Sequence, residues 1–321
     1  MSETLKEISI HDLEGFHIGN AEYADHFTGC TVILPEKGAV TAVDIRGGGP
    51  ASREAGLLNP LADNSCVNAV LLSGGSAYGL NASTGVVRYL EERGEGFPVS
   101  EGVVPIVCES CIYDLEMDNE KRPDSDLGYR ACLNAEKDNY QDGNYGCGCG
   151  ATVGKAYGPS HMMKSGIGSA AYQCSDLKVG AIVSVNCMGD VFDFETGKQI
   201  AGAIDYENNS FLNCEQAFYT MQANLQKHTN TTIGAILTNA SFNKTQLTKI
   251  AGMAHDGMAR AINPVHTMYD GDSIYVLSKG DVKADINIVG ILAARAFAAA
   301  IRNAVTHATS VKGLKTVSDL K

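Results

Sequence analysis

Cationic side chains are scarce in this chain. It carries 25 lysines and arginines against 37 aspartates and glutamates, a formal net charge of -12 over 321 residues. Nucleic-acid binders draw affinity from cationic contacts to phosphates, so a general role of that kind is disfavoured. Long apolar runs are also missing. No stretch approaches the ~18 consecutive apolar residues of a membrane span. The opening MSETLKEISIHDLEG carries acids and lacks the apolar centre of a secretory signal. A cytoplasmic protein without a membrane segment is therefore expected. Prolines number only eight, and no internal repeat is visible.

The ten cysteines are scattered, from Cys30 to Cys214. Without a secretory signal they are expected as reduced thiols. Cys108-Glu-Ser-Cys111 and Cys147-Gly-Cys149 together offer four thiolates, the number a zinc site takes. Their spacing fits no standard zinc pattern, so buried thiols packing as small hydrophobes are the favoured reading. Gly150-Ala-Thr-Val-Gly-Lys155 has the look of a phosphate loop, but the spacing is wrong and no Ser or Thr follows the lysine. No metal and no organic cofactor is expected.

Glycine, by contrast, is abundant. The 35 glycines cluster at 47–49, 74–75, 146–154, 166 and 168, mostly beside β-like runs, where they permit tight turns or close backbone approach. Hydrophobic residues make up 44%, which disfavours disorder. The length allows one large domain or two medium ones, with a substantial core.

Strands are predicted at 30–34, 39–45, 67–72, 179–186, 233–238 and 273–277 from their apolar, β-favouring runs. Helices are predicted at 77–92, 245–261 and 288–306. The middle helix places Leu247, Ile250, Ala254 and Met258 on one face, with Asn243 and Gln246 as a cap. The class is mixed α and β. Residues 118–141 read as a polar surface excursion with a short helix, and residues 206–229 as a largely polar linker.

The segment Asn230-Thr-Thr-Ile-Gly-Ala-Ile-Leu-Thr-Asn-Ala240 sets two hydroxyls at the mouth of an apolar strand. A threonine hydroxyl becomes a useful nucleophile when a base is adjacent, and the α-amine of a chain-terminal threonine is such a base. Thr231 can have that amine only if the Asn230–Thr231 bond is cut. The plain alternative is an ordinary strand entry.

Other segments accompany it: YGCGCGATVGK (145–155), VGAIVSVN (179–186) with Gly189-Asp190, HDGMAR (255–260), and HTMYDGD (266–272). GCTVILPEKGAVTAVDIRGGGPASRE (29–54) and LLSGGSAYGLNASTGVVRYLEE (71–92) complete the set. Together they resemble the self-cleaving L-aminopeptidase/D-esterase family, which includes β-peptidyl aminopeptidases and nylon-oligomer hydrolases. The resemblance runs from about His11 to about Gly280. It implies an α+β fold, a four-layer α-β-β-α sandwich. One domain, 1–321, would be formed by the fragments 1–230 and 231–321 of one precursor.

The resemblance also assigns site residues. Thr231 is the implied nucleophile, where many relatives have serine. Lys155 matches a lysine that faces the nucleophile; alone it reads as a surface lysine after a turn. Asn186 matches an oxyanion donor; alone it caps a turn. Asp270 and Asp272 match a carboxylate pair that orients the nucleophile; alone they form an Asp-Gly turn. Tyr113 matches an aromatic lining the substrate pocket; alone it is a core tyrosine. Cys147 and Cys149 depart from the small non-thiol residues usual in this loop. His255 and His266 invite a Thr/His pairing, although both have a satisfactory structural explanation.

The expected activity is amide hydrolysis by an N-terminal threonine, on short peptides or amino-acid amides. Alternatives are hydrolysis of β-peptides or aminohexanoate oligomers, and an uncleaved, non-catalytic relative that binds or assembles. A homo-oligomer, a tetramer by resemblance, is expected.

Overall fold

The computed structural model describes residues 5–221 and 230–320. The main strands, in chain order, are β1 (Lys6–Ile8), β2 (Phe16–Tyr23), β3 (Thr28–Pro35), β4 (Ala39–Ile45), β5 (Ser52–Arg53), β6 (Cys66–Val67), β7 (Ala69–Ser73), β8 (Val107–Cys111), β9 (Ile167–Cys174), β10 (Leu177–Asn186), β11 (Thr231–Ala240) and β12 (Ser273–Val282). The α-helices are α1 (Ala82–Glu91), α2 (Ser125–Ala135), α3 (Cys214–Met221), α4 (Lys244–Ala261) and α5 (Ile286–Thr306).

Seven strands form the larger sheet, in the order β1-β9-β10-β11-β12-β4-β6. Five form the smaller, in the order β2-β3-β7-β8-β5. Most neighbours are antiparallel; β11 with β12 and β7 with β8 are parallel. Strand β11 is central, so both its faces are covered, which is why its sequence is nearly continuously apolar. Alternate residues go to different clusters. Ile236 joins Phe297 and Ile301 of α5, whereas Ile233, Ala235 and Leu237 meet Ile33, Val70 and Leu72 of the smaller sheet. Gly234 is needed for this fit: a Cβ there would stand 2.8 Å from the Phe297 ring.

Apolar contacts fall into three large groups. One joins α4 and α5 to the larger sheet, a second fills the space between the sheets, and a third joins the smaller sheet to α1 and α2. The expected face of α4 is fully buried at Leu247, Ile250, Ala254 and Met258. Asn243 and Gln246 form a reciprocal capping box, a feature worth about 1 kcal/mol. Helix α5 is long and apolar enough to cross a membrane by length and composition, but 72% of its most apolar window is buried inside the protein.

Two polar stretches differ from expectation. Residues 118–141 contain the expected short helix, α2, but it packs inward and is not a surface excursion. Its face Leu127, Gly128, Ala131, Cys132 and Ala135 is buried. Small residues let it approach closely: a Cβ on Gly128 would lie 2.0 Å from the Ala82 carbonyl oxygen. Such a face carries little hydropathy contrast, so periodicity alone misses its burial. The linker reading of 206–229 fails over its first part. The hairpin Ile204–Asp205 with Ser210–Phe211 is followed by α3, docked through Cys214 and Ala217. Residues 222–229 of that reading lie outside the described residues.

Candidate active site

Strand register brings the first two site residues together. Thr231 opens β11, Asn186 closes β10, and the two are direct cross-strand partners. Alternation along both strands puts their side chains on the side facing the smaller sheet. Both are buried, Thr231 at 5% exposure and Asn186 at 0%. Strand β11 starts two residues earlier than its apolar run implied, because Thr231 and Thr232 both pair with β10.

Lys155 reaches the same place from a short 3-10 turn, Lys155–Tyr157. Gly154 precedes it at φ +77°, and a Cβ there would stand 2.0 Å from the Ala203 nitrogen, so only glycine fits. The Lys155 backbone N–H donates to the Met188 carbonyl (2.9 Å). Its Nζ donates to Asn186 Oδ1 (2.7 Å) and pairs with Glu116 Oε1 (2.6 Å). Thr152 closes the network: its N–H donates to Asn186 Oδ1 (3.0 Å) and its hydroxyl to Glu116 Oε1 (2.9 Å). Asn186 Oδ1 therefore faces N–H donors, which leaves Nδ2 as the outward donor. Nδ2 gives one hydrogen to the Tyr113 carbonyl (2.7 Å). Tyr113, half-buried, thus meets the site through its backbone. Glu116 was not anticipated from the sequence. It sits in a polar segment, and only folding brings it to Lys155.

Asp270 and Asp272 approach from the other side. Both are buried. They precede β12, which begins at Ser273, so they sit in the turn that leads into that strand. Asp272 Oδ1 accepts the Thr232 N–H (2.7 Å). Its Oδ2 accepts both the backbone N–H (3.1 Å) and the ring Nδ1–H (2.8 Å) of His266. Asp270 Oδ2 accepts from the Thr267 N–H (3.0 Å) and hydroxyl (2.5 Å). Burial, then the neighbouring Asp272 charge, pushes the Asp270 carboxyl up to about 7. The Gly47–Gly49 run is laced along this loop. Its N–H groups donate to the carbonyls of Asp272 (3.2 Å), Thr267 (3.2 Å) and Asp270 (2.9 Å). A Cβ on Gly47 would lie 2.3 Å from the Asp272 nitrogen, which explains that glycine.

The two histidines differ. His266 contacts Asp272 directly. His255 lies behind it on α4, with ring centroids 4.7 Å apart at 75°. His255 Nε2–H donates to the Asp44 carbonyl (3.1 Å), and burial lowers its pKa to about 4. It is neutral near pH 7.

Asn230 is buried and bridges to Asp270. Its carbonyl oxygen accepts from the Gly271 N–H (3.1 Å) and from the Thr231 hydroxyl. The four thiols considered for zinc do not converge. Among the described residues, only His26, Asp118 and Glu120 bring three such ligand atoms within 4.8 Å of one another. Cys147 and Cys149 are free and buried, and burial raises both thiols, Cys149 to about 12.

One end of the sheet thus collects a hydroxyl, an ammonium, a carboxamide donor and two carboxylates, the parts that acyl transfer uses. Comparison with known proteins gives a consistent picture. An uncharacterised aminopeptidase of Mycobacterium leprae is 37% identical, covering 96% of this chain and 92% of its own length. A 6-aminohexanoate-oligomer endohydrolase of Agromyces sp. is 32% identical, over 87% and 77% respectively. Among solved structures, the L-aminopeptidase D-Ala-esterase/amidase of Ochrobactrum anthropi, a variant of the Ntn hydrolase fold, superposes with a TM-score of 0.70. It covers 96% of this chain and 89% of its own at 15% identity. A Burkholderia sp. β-aminopeptidase gives 0.68, over 97% and 92%, at 17% identity. The model of peptidase family S58 matches residues 9–318, and the chain belongs to that family, a hydrolase of peptide and amide bonds.

Proposed function

We propose that the chain cleaves itself between Asn230 and Thr231, and that the freed Thr231 then hydrolyses short peptides or amino-acid amides. The observation that carries this reading is the Asn230 carbonyl oxygen. It receives the Thr231 hydroxyl and the Gly271 N–H together. In the first step Thr231 Oγ1 bonds to the Asn230 carbonyl carbon and yields its proton to a neighbouring base. The carbonyl oxygen takes the negative charge beside the Gly271 N–H. Collapse breaks the C–N bond, and the departing nitrogen takes up a proton. Water then hydrolyses the ester, leaving an Asn230 carboxylate and a free α-amine on Thr231.

That amine has an ordinary pKa of about 7.7–8.0, so an appreciable fraction is neutral near pH 7 and can accept the hydroxyl proton. Asn186 Nδ2 serves as donor to the substrate oxyanion, with Lys155 and Glu116 holding its orientation. Asp270 and Asp272 orient the nucleophile, and Tyr113 borders the substrate. The fold is read as a four-layer α-β-β-α sandwich, one domain shared by both fragments. The protein is read as a cytoplasmic homo-tetramer.

A second reading is favoured by one observation, the 32% identity to 6-aminohexanoate-oligomer endohydrolases. Parallel assays on alanine amide, a β-homo-dipeptide and linear aminohexanoate oligomers separate the two substrate classes. Mass spectrometry tests the main proposal. Purified protein should yield fragments 1–230 and 231–321, and Thr231→Ala should remain at 33.9 kDa without activity. A persistent full-length wild-type band, or a cut elsewhere, overturns self-cleavage at this bond, and the persistent intact band favours a non-catalytic binding role.

A further inference from the structure

We infer that His266 is a positioning residue for Thr231, acting through Asp272. The inference rests on the reading that the two aspartates serve Thr231. Asp272, 1% exposed, accepts three N–H bonds. Two come from His266 and converge on one oxygen. The third comes from Thr232 and occupies the other oxygen, so Asp272 ties the His266 loop to the peptide that follows the nucleophile. Rotation of this carboxylate would release the Thr232 N–H and let Thr231 shift. A displacement near 1 Å at a reacting group costs about 10²-fold in rate.

The backbone at His266 supports a built-in role. Its φ is +57°, in the left-handed region that most side chains avoid. That conformation lets the backbone N–H and the ring of one residue meet the same oxygen. A carboxylate oxygen accepts, so Nδ1 carries the hydrogen, and Nε2 is left buried without a partner. The charged and titratable groups around the pair are few. Asp270 and Asp272 lie on the same loop, His255 on α4 packs against the ring, and Asp44 with Arg46 stands behind His255 (Nε to Oδ2 3.0 Å). His255, neutral near pH 7, forms a wall, and its N–H is spent on the Asp44 carbonyl.

The arrangement divides labour between the acids. Asp272 fixes geometry with His266, and the Asp270 carboxyl is pushed to about 7 by burial and by Asp272. The acid limb of the pH–rate profile should report Asp270. Loss of the His266 ring should move that limb to higher pH, because His266 lowers the Asp270 pKa.

The test uses cleaved wild-type enzyme and cleaved variants, with kcat and its pH profile as readouts. His266→Gly removes the ring and suits φ +57°. His266→Asn returns a short N–H donor and tolerates the left-handed backbone. The expected result is a loss of kcat of about 10–100-fold for Gly, an acid limb at higher pH, and recovery of kcat but not of the limb by Asn, which returns a donor without a charge. Wild-type kcat and profile in His266→Gly overturns the inference, as does a uniform loss with an unmoved limb and no rescue by Asn. Should His266→Gly not fold, His266→Asn is compared with His266→Asp, which offers no side-chain N–H; equal activities overturn the inference. Asp270→Asn and Asp272→Asn are the controls. If both retain wild-type kcat/KM, the underlying reading of the carboxylates has failed; if both lose it while His266→Gly does not, only the role of His266 has.

Discussion

Lys155 and Lys164 are both buried and both lie close to Thr152, yet they live in different chemistry. Thr152 pairs across a short two-stranded ribbon with Lys164 itself. Lys155 has a carboxylate, Glu116, at 2.6 Å and the Asn186 amide at 2.7 Å. Lys164 is fully buried and meets carbonyls: Gly148 (3.1 Å), Ala151 (3.0 Å) and Ser165. Without a carboxylate beside it, desolvation dominates and lowers its pKa to about 7. One lysine is held between the carboxylate and the amide of the candidate site. The other spends its hydrogens tethering the glycine loop that carries Cys149 and Thr152. Burial alone therefore does not distinguish the two lysines; the partners do.

The largest effect that could break this comparison is at Lys155. Lys155→Met should lower kcat by up to about 10²–10³, the range for losing an oxyanion donor outright, since it frees the Asn186 amide that the proposed function uses as that donor. It also strands Glu116, so Lys155→Met/Glu116→Gln is the better folded control and should be as inactive. Self-cleavage half-times by mass spectrometry and hydrolysis on cleaved material are the readouts. If Lys155→Met and Lys164→Met lose activity equally, the two lysines are not distinct.

Lys164→Met should act on stability. It leaves three carbonyls without their donor, a cost of about 3 kcal/mol or more at about 1–3 kcal/mol for each unmet group. The folded fraction should keep kcat within a few-fold of wild type. The pH dependence has a definite sign. The folded pKa, about 7, lies below the ordinary lysine value of 10.5, so between them the unfolded chain binds the extra proton. Stability from this group rises with pH across that window and is lost as pH falls through about 7. Melting curves at pH 7 and 9 should show that rise in wild type and a smaller one in Lys164→Met.

Much of this was legible in advance, for reasons specific to each element. Helices α4 and α5 and strand β4 appear close to their expected bounds because their apolar periodicity is strong. Thr231, Asn186, Lys155, Asp270 and Asp272 were singled out by ordered motifs, and the fold brings them to one end of the sheet. What escaped was carried by weak or distant signals. The short helix α2 was expected but its burial was not, because its inner face is glycine, alanine and cysteine, whose hydropathy contrast is slight. Strand β9 is similarly rich in small residues. Glu116 and Lys155 meet only through tertiary folding. His266 was noticed, but its hold on Asp272 depends on a left-handed turn that spacing does not reveal.

The smallest expected effect, at Glu109, sharpens the same lesson with an acid. Glu109 lies at the centre of β8, is fully buried, and has an Oε2 without a partner. Burial, only partly offset by Ser83 and Arg53, pushes its carboxyl up to about 8. The folded protein therefore holds it neutral at pH 6, and Glu109→Gln keeps its size and charge state. The melting temperature at pH 6 should change by no more than about 2 °C, the range of a substitution that costs under 1 kcal/mol. As pH rises from the ordinary value of 4.5 through about 8, the unfolded chain has lost the proton that the folded chain retains, so wild-type stability falls. Glutamine has no such slope. The variant should therefore gain on wild type between pH 6 and 9, opposite in sign to the contribution of Lys164 above pH 7. Parallel melting curves for wild type and Glu109→Gln over that range would show that Glu109 is already ionised in the folded protein, held by a cation as Glu116 is by Lys155.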